Sequence, residues 1–297
     1  MEKSAENQPE RDAAPAPENH SAGARIVVGI DNEEASQRAV DWALRRSRVV
    51  AADIRVVSVE EDFWEQPPAA EAVLTLTRER VTAALPDQEF TAVVLAGPIV
   101  ETLLASSADA DVIVLGSHRQ HPLRSALAGS LPLRIAARAT CVTVVVPQDW
   151  QPREGSIVVG IGDDESSAGA LDWAVAEAAR LDRPLEVVHA WQQPQTDLVN
   201  AAFLIDDDVL RDQHQAHLAA AVARAGAREP GVRIRSHLMR SDASDALSIR
   251  AGAAQLLVIG THHRSPLVEW VVSGTAQSLL RELPLPVAIV PTLNPAN

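Results

Sequence analysis

The chain has 297 residues, is 46% hydrophobic and carries a formal net charge of −14. This length fits two domains, and so acidic a surface would repel a phosphate backbone, so nucleic-acid binding is not expected. No apolar run approaches the roughly 18 residues of a membrane helix, and the first residues lack the pattern of a signal peptide. The expectation is a cytoplasmic protein without membrane contact.

Two residue types limit the chemistry further. Cys141 is the only cysteine, which excludes an internal disulfide and a Cys-based zinc site. Lys3 is the only lysine, so the folded part cannot contain a Walker-type phosphate loop, which requires one.

The first 24 residues contain no Val, Ile, Leu, Phe or Trp. They cannot bury enough apolar surface to offset the entropy of ordering, which predicts a disordered tail over 1–24. From Ile26 onwards, short β-branched runs alternate with segments of helical periodicity. The runs are RIVVGI, IRVVSV, TAVVLA, DVIVLG and VTVVVP. This alternation predicts parallel strands with helices on both faces, and a ligand mouth beyond the carboxyl ends of the strands.

The pattern occurs twice. The stretch IVVGIDNEEASQRAVDWAL at 26–44 returns as IVVGIGDDESSAGALDWAV at 157–175, and 111–147 returns at 255–291. The repeat spacing grows from 131 to 144 residues, so the second copy has 13 more residues in its middle. There DDDVLRDQHQAHLAAAVARA is predicted to be helical. The predicted division is a first domain at 25–148, a linker at 149–155, a second domain at 156–291 and a tail at 292–297.

The run VVGIDNEEASQRAVDWAL, followed by ADVIVLGS, a loop, GS, a helix and a strand ending in VVVP, resembles the universal stress protein family in tandem form. The resemblance covers about residues 25–291. It implies two doubly wound α/β domains of the adenine-nucleotide α-hydrolase type, each with a five-stranded, mainly parallel sheet. It also implies a cytoplasmic stress-response role. One branch of the family binds ATP and another does not.

The resemblance also implies candidate site residues. The nucleotide-binding branch has an Asp after the first strand and a loop with two spaced glycines and a final Gly-Ser or Gly-Thr pair. The matching residues in the first copy are Asp31, Gly116, Ser117, Arg119, Gly129 and Ser130. Arg119 stands where the second glycine belongs. Glycine lets backbone N–H groups approach phosphate, whereas Arg119 either binds the phosphate itself or fills its place.

The second copy departs further from the motif. Its remaining candidates are Gly260, Gly274 and Thr275, while His263 replaces the second glycine and Gly162 replaces the Asp. The acidic residues at 163–165 disfavour an anion unless a metal intervenes. This copy is therefore expected to be structural.

Other residues have ordinary explanations. Ser130 is predicted to cap the next helix, with or without a phosphate bound there. The pairs His118 and His121, and His262 and His263, lack a third ligand at a clear spacing, so no metal site is predicted. Cys141 is predicted to be a small core residue.

The sequence has no G-x-S-x-G elbow and no acid/base constellation shared by both copies, so an enzyme is not expected, although slow incidental ATP hydrolysis stays open. The leading hypothesis is a regulatory protein that binds ATP or another adenine nucleotide in its first domain. The alternative is a nucleotide-independent scaffold with an unknown protein partner. The family often pairs through its last strand, which implies that VTVVVP and PVAIVP pair within the chain. A further homodimer is left open.

Overall fold

A computed structural model describes residues 24–61, 68–86, 90–118, 130–163, 166–192, 207–261 and 274–292. The strands are β1 (Ala24–Ile30), β2 (Ala52–Glu60), β3 (Phe90–Ala96), β4 (Val112–Ser117), β5 (Val142–Pro147), β6 (Ile157–Ile161), β7 (Leu185–Trp191), β8 (Ile234–Arg240), β9 (Leu256–Gly260) and β10 (Val287–Val290). The helices in this part are α1 (Glu34–Ser47), α2 (Pro68–Ala84), α3 (Ile99–Ser106), α4 (Leu131–Ala136), α5 (Ser166–Arg180), α6 (Asp207–Arg228), α7 (Ala243–Ala251) and α8 (Gly274–Glu282). Within these residues, no helix is both long and apolar enough to cross a membrane.

All ten strands form one continuous sheet in the order β3-β2-β1-β4-β5-β10-β9-β6-β7-β8. Within each half the neighbouring strands are parallel, as the register of β1 with β2 and of β6 with β7 shows. In each half the chain first adds strands on one side of its first strand, β1 or β6, and then on the other side. This change of direction is the doubly wound arrangement. The α/β fold predicted from the alternating runs is confirmed.

Both faces of the sheet are covered by helices. Ile26 and Val28 lie in the core under α1 and α2, whereas Val27 points to the other face and packs with Leu103 of α3 and Ile135 of α4. Burial on both faces explains why the strands read as continuous apolar runs instead of alternating ones. The inner face of α1 is formed by residues that recur at helical spacing and are all buried: Ser36, Ala39, Val40, Ala43 and Leu44.

The two halves join through their last strands. β5 and β10 pair antiparallel, with Val144 opposite Ala288 and Val145 opposite Val287. The pairing that the family resemblance implied is therefore present within one chain. It removes two exposed strand edges that would otherwise invite association. Because the junction is antiparallel, the carboxyl ends of the strands in the two halves point to opposite edges of the sheet.

The segment that connects the two halves contributes a residue to the core. Trp150 is only 3% exposed and belongs to the same core cluster as residues of both halves, among them Trp42 and Leu256. Cys141 is buried, as predicted, and burial raises the pKa of its thiol. The helix predicted in the extra middle residues is α6, which begins at Asp207.

One buried ion pair crosses the junction. The guanidinium of Arg46 in α1 donates two hydrogen bonds to the carboxylate of Glu177 in α5, at 2.7 and 2.9 Å. Their side chains are 5% and 0% exposed. A pair this deeply buried depends on both members, because either charge alone would lie without compensation in a low-dielectric environment.

Removing one member of this pair is therefore expected to be costly. Glu177→Ala should lower the free energy of unfolding by about 3–5 kcal/mol, because it leaves the Arg46 charge buried and unpaired. The double variant Arg46→Met with Glu177→Leu should recover most of that loss, since no charge remains to be buried. Chemical denaturation of the three proteins measures both effects. A double variant as unstable as Glu177→Ala would contradict this account.

Candidate functional site

The first copy brings four of its six candidate residues to the carboxyl edge of its half-sheet. Asp31 follows β1, Gly116 and Ser117 end the neighbouring β4, and Ser130 precedes α4. The other two candidates, Arg119 and Gly129, lie outside the described residues. The mouth is thus formed by residues from three separate elements.

Gly116 has a packing role at this edge. A Cβ atom on it would lie 2.3 Å from the carbonyl carbon of Ala35 and 2.6 Å from the backbone nitrogen of Ser36. The end of β4 therefore rests directly against the first turn of α1. The glycine requirement here comes from the close approach of a helix, and a contact with phosphate stays a prediction.

Asp31 organises the start of α1. Its Oδ1 accepts a hydrogen bond of 3.0 Å from the backbone N–H of Glu33, and its carbonyl accepts one of 2.9 Å from the Ser36 hydroxyl. This is the local turn that Asp favours, in which the side chain bonds the backbone two residues on. The carboxylate is exposed and stands at the predicted mouth.

A polar network lines the same edge. The Oε1 of Gln148 accepts a hydrogen bond of 2.9 Å from Nδ1 of His118, and its Nε2 donates one of 3.1 Å to Glu34. The backbone N–H of Gln148 also donates to the carbonyl of Ser117 at 3.0 Å. With Glu33 and Glu34 beside Asp31, this side of the mouth is acidic.

Two serine hydroxyls at the mouth take no part in the network around Gln148 within the described residues. The Oγ of Ser117 is buried without a hydrogen-bond partner in the described part of the chain. Ser130 occupies the N-cap position of α4, but its side chain makes no capping hydrogen bond. The prediction that Ser130 caps the helix through its hydroxyl is therefore wrong. Pro132, near the start of this six-residue helix, has no N–H to offer a cap.

The second copy has a cavity of about 100 Å³ at its own carboxyl edge, lined by Gly160, Ile161, Gly162, Ser167, Val188, Ala190, Ala243, Leu247, Ile259, Gly260 and Thr275. Two of the three candidates of this copy, Gly260 and Thr275, thus meet there, and Gly274 begins α8 next to them. Ligand pockets usually measure about 300–1,000 Å³, so the described walls enclose room for a small group only. The copy expected to be purely structural nevertheless has a cleft.

A cluster of histidines lies beside this cavity. His189 of β7 is 1% exposed, and its Nδ1 lies 3.0 Å from the carbonyl oxygen of Ile161. Its Nε2 is 2.8 Å from Nδ1 of His214 on α6. The Oδ1 of Asp163 is 3.5 Å from Nε2 of His189 and 3.7 Å from Nδ1 of His214. One turn further along α6, His217 contacts the Gly162 carbonyl oxygen at 2.9 Å.

An aromatic stack holds His214 in place. The rings of Trp191 and His214 are stacked at 5.2 Å, and the guanidinium of Arg240 lies over Trp191 at 5.3 Å. Arg240 is in turn paired with Asp207 at the first residue of α6. These contacts fix the start of α6 against β7 and β8, and so fix the orientation of the His214 ring.

This cluster was not predicted from the sequence, where the histidine pairs weighed as metal ligands were His118 with His121 and His262 with His263. Asp163, His189 and His214 follow one another in the chain at intervals of 26 and 25 residues. They meet only because β6, β7 and α6 converge. The signal in the sequence was the spacing of His214 and His217, which places two imidazoles on one helix face within the extra residues of the second copy.

A model of the universal stress protein family matches residues 24–147 and again residues 155–291. The chain belongs to this family. Two universal stress proteins of Mycobacterium tuberculosis are similar along nearly their whole length. One is 26% identical over 288 residues, covering 89% of this chain and 96% of the relative. The other is 27% identical over 294 residues, covering 91% and 97%.

The tandem arrangement also occurs among solved structures. The crystal structure of a universal stress protein from Archaeoglobus fulgidus matches with a TM-score of 0.69, covering 90% of this chain and 96% of that one. Its sequence identity is 16%, so the likeness concerns the fold alone. This tandem universal stress protein therefore shares its two-copy architecture with relatives of similar length.

The packing role of Gly116 is testable by substitution. Gly116→Ala should lower the free energy of unfolding by about 2–3 kcal/mol, because the new Cβ meets the backbone of Ala35. The control is Gly226→Ala in α6, where a Cβ meets nothing within 4 Å; it should stabilise by about 0.5–1 kcal/mol. Thermal or chemical denaturation compares them. Equal effects from both substitutions would rule out the packing role.

The buried histidines predict a pH-dependent stability. Burial lowers the pKa of His189, and burial together with Arg250 lowers the pKa of His237. The unfolded chain therefore takes up protons that the folded one resists. The contribution of the two histidines to the free energy of unfolding is fully present above a pH of about 6.5. It is lost as the pH falls towards their lower pKa values in the folded state, by up to about 1.4 kcal/mol per pH unit for each proton.

Denaturant titrations between pH 7.5 and 5 measure this loss. His189→Gln and His237→Gln should each make the free energy of unfolding less dependent on pH, and the double variant should do so most. A pH slope in the double variant equal to that of the wild type would show that other groups cause it.

Proposed function

We propose that this tandem universal stress protein is a cytoplasmic, non-catalytic regulator that binds ATP or another adenine nucleotide in its first copy. The observation that carries the proposal is the pair of serine hydroxyls at the first mouth. Ser117 Oγ is buried without a partner in the described residues, and the Ser130 hydroxyl is not used for capping. Both stand at the edge where doubly wound sheets take their ligands.

The roles follow from chemistry. Ser117 and Ser130 donate hydrogen bonds to phosphate oxygens, and the exposed carboxylate of Asp31 accepts from the donor groups of the nucleoside. Gly129 admits the close approach of its backbone N–H to a phosphate. Glu33 and Glu34 make this edge acidic, so binding needs positive charge from Arg119 or from a Mg²⁺ ion that accompanies the phosphates.

Chromatography of the small molecules released on denaturing freshly purified protein tests the proposal. The wild type should release an adenine nucleotide, and Gly129→Arg should release none, because its side chain occupies the loop. Isothermal titration of nucleotide-free protein with ATP and Mg²⁺ should give at least about tenfold weaker binding for Asp31→Ala, corresponding to the loss of one charge-assisted contact. A wild type that neither carries nor binds nucleotide contradicts the proposal.

The second candidate function is a nucleotide-independent scaffold for protein contacts. The observation that favours it is the network in which Gln148 already joins His118 and Glu34 at the first mouth. An Arg119→Gly variant separates the two functions. If the wild type is empty and this variant binds nucleotide, Arg119 closes the loop and the scaffold is the native function. Incubation with ATP should release no phosphate above the protein-free rate under either function.

A further inference from the structure

We propose that Asp163, His189 and His214 form a binding site for a Zn²⁺-type divalent cation in the second copy. The inference is independent of nucleotide binding, which concerns the first copy and the opposite edge of the sheet. The ligand atoms are Asp163 Oδ1, His189 Nε2 and His214 Nδ1, which lie within 4.8 Å of one another.

The separations of these atoms allow all three to bind one metal ion. Ligands bound tetrahedrally at about 2.0–2.1 Å are about 3.3 Å apart. Asp163 Oδ1 lies 3.5 Å from His189 Nε2 and 3.7 Å from His214 Nδ1, close to that value. The two nitrogens are 2.8 Å apart, which is a hydrogen-bond distance, so metal binding widens this one contact by about half an ångström.

The orientation of His189 suits a metal ligand. Its Nδ1 faces the Ile161 carbonyl and must donate a proton to it, which leaves Nε2 as the unprotonated nitrogen facing the cluster. Metal-bound histidines usually carry such a second hydrogen bond, because it fixes the tautomer and the ring orientation. His214 is held by its stack on Trp191 and becomes a ligand when its Nδ1 proton moves to the other ring nitrogen or to water.

The donor set selects the metal. Two imidazoles and one carboxylate suit Zn²⁺ and other late first-row ions, whereas Mg²⁺ and Ca²⁺ prefer oxygen ligands. Asp163 is 70% exposed, so an ion reaches the cluster from solvent and keeps a water as a further ligand.

Within the described residues, this group of side chains occurs in the second copy and not in the first. In the register of the first copy, Ser58 faces Ile30 where His189 faces Ile161 in the second. Asn32 likewise precedes α1 where Asp163 precedes α5. His214 lies on α6, which has 22 residues against 17 in α2. The longer middle segment of the second copy thus supplies one of the ligands.

Isothermal titration of the full-length, chelator-treated protein with ZnCl₂ at pH 7.5 tests the proposal. The Zn²⁺ titration of the wild type should contain a binding component for this site. The affinity of that component should be at least about tenfold weaker in Asp163→Asn and in His214→Asn. Asp163 is 70% exposed and His214 is 19% exposed, and circular dichroism without metal verifies that both variants fold. Zn²⁺ should also raise the melting temperature of the wild type more than that of either variant.

The matched control is His237→Gln. His237 is also a histidine of the second copy beside a carboxylate, with Nε2 3.1 Å from Glu186, but it lies outside the cluster. This variant should bind Zn²⁺ as the wild type does. The proposal is overturned if the wild type shows no such component, if Asp163→Asn and His214→Asn retain it, if His237→Gln loses it equally, or if Mg²⁺ binds as tightly as Zn²⁺.

Discussion

The antiparallel pairing of β5 with β10 is the constraint on which the whole arrangement depends. Each half is a parallel sheet that would end in an exposed strand, and the pairing turns both ends into the interior of one sheet. It also directs the two mouths to opposite edges. A ligand at one mouth therefore cannot contact the other, and any influence between them must pass through the strands and helices at the junction.

The junction combines apolar burial with a deeply buried ion pair. Val144 and Ala288 lie at its centre in the sheet, and Trp150 packs the connecting segment onto the same core. These contacts supply the larger share of the stabilisation, because they remove apolar area from water without burying charge. The pair of Arg46 and Glu177 contributes less net free energy than its geometry suggests, since both groups lose their hydration.

The fold and the repeat could be predicted from the sequence because both depend on local periodicity. The buried strands and the inner face of α1 are visible as apolar runs and helical spacing, and the repeated motif fixes the family. The cluster around His189 could not be predicted, because its side chains meet only through the register of β6 with β7 and the placement of α6. The capping prediction for α4 was wrong, and Pro132 removes one of the two N–H groups from which the Ser130 hydroxyl could accept a hydrogen bond.

The buried ion pair also determines which surfaces can associate. Arg46 and Glu177 hold equivalent positions in the two copies, since each follows the shared GI of its first strand by the same number of residues. In a symmetric dimer of identical subunits, a residue on the two-fold axis faces itself. Here self-pairing of either copy would set two arginines or two glutamates against each other in the core. Each copy thus accepts only its unlike partner, which leaves the two mouths free to diverge in sequence.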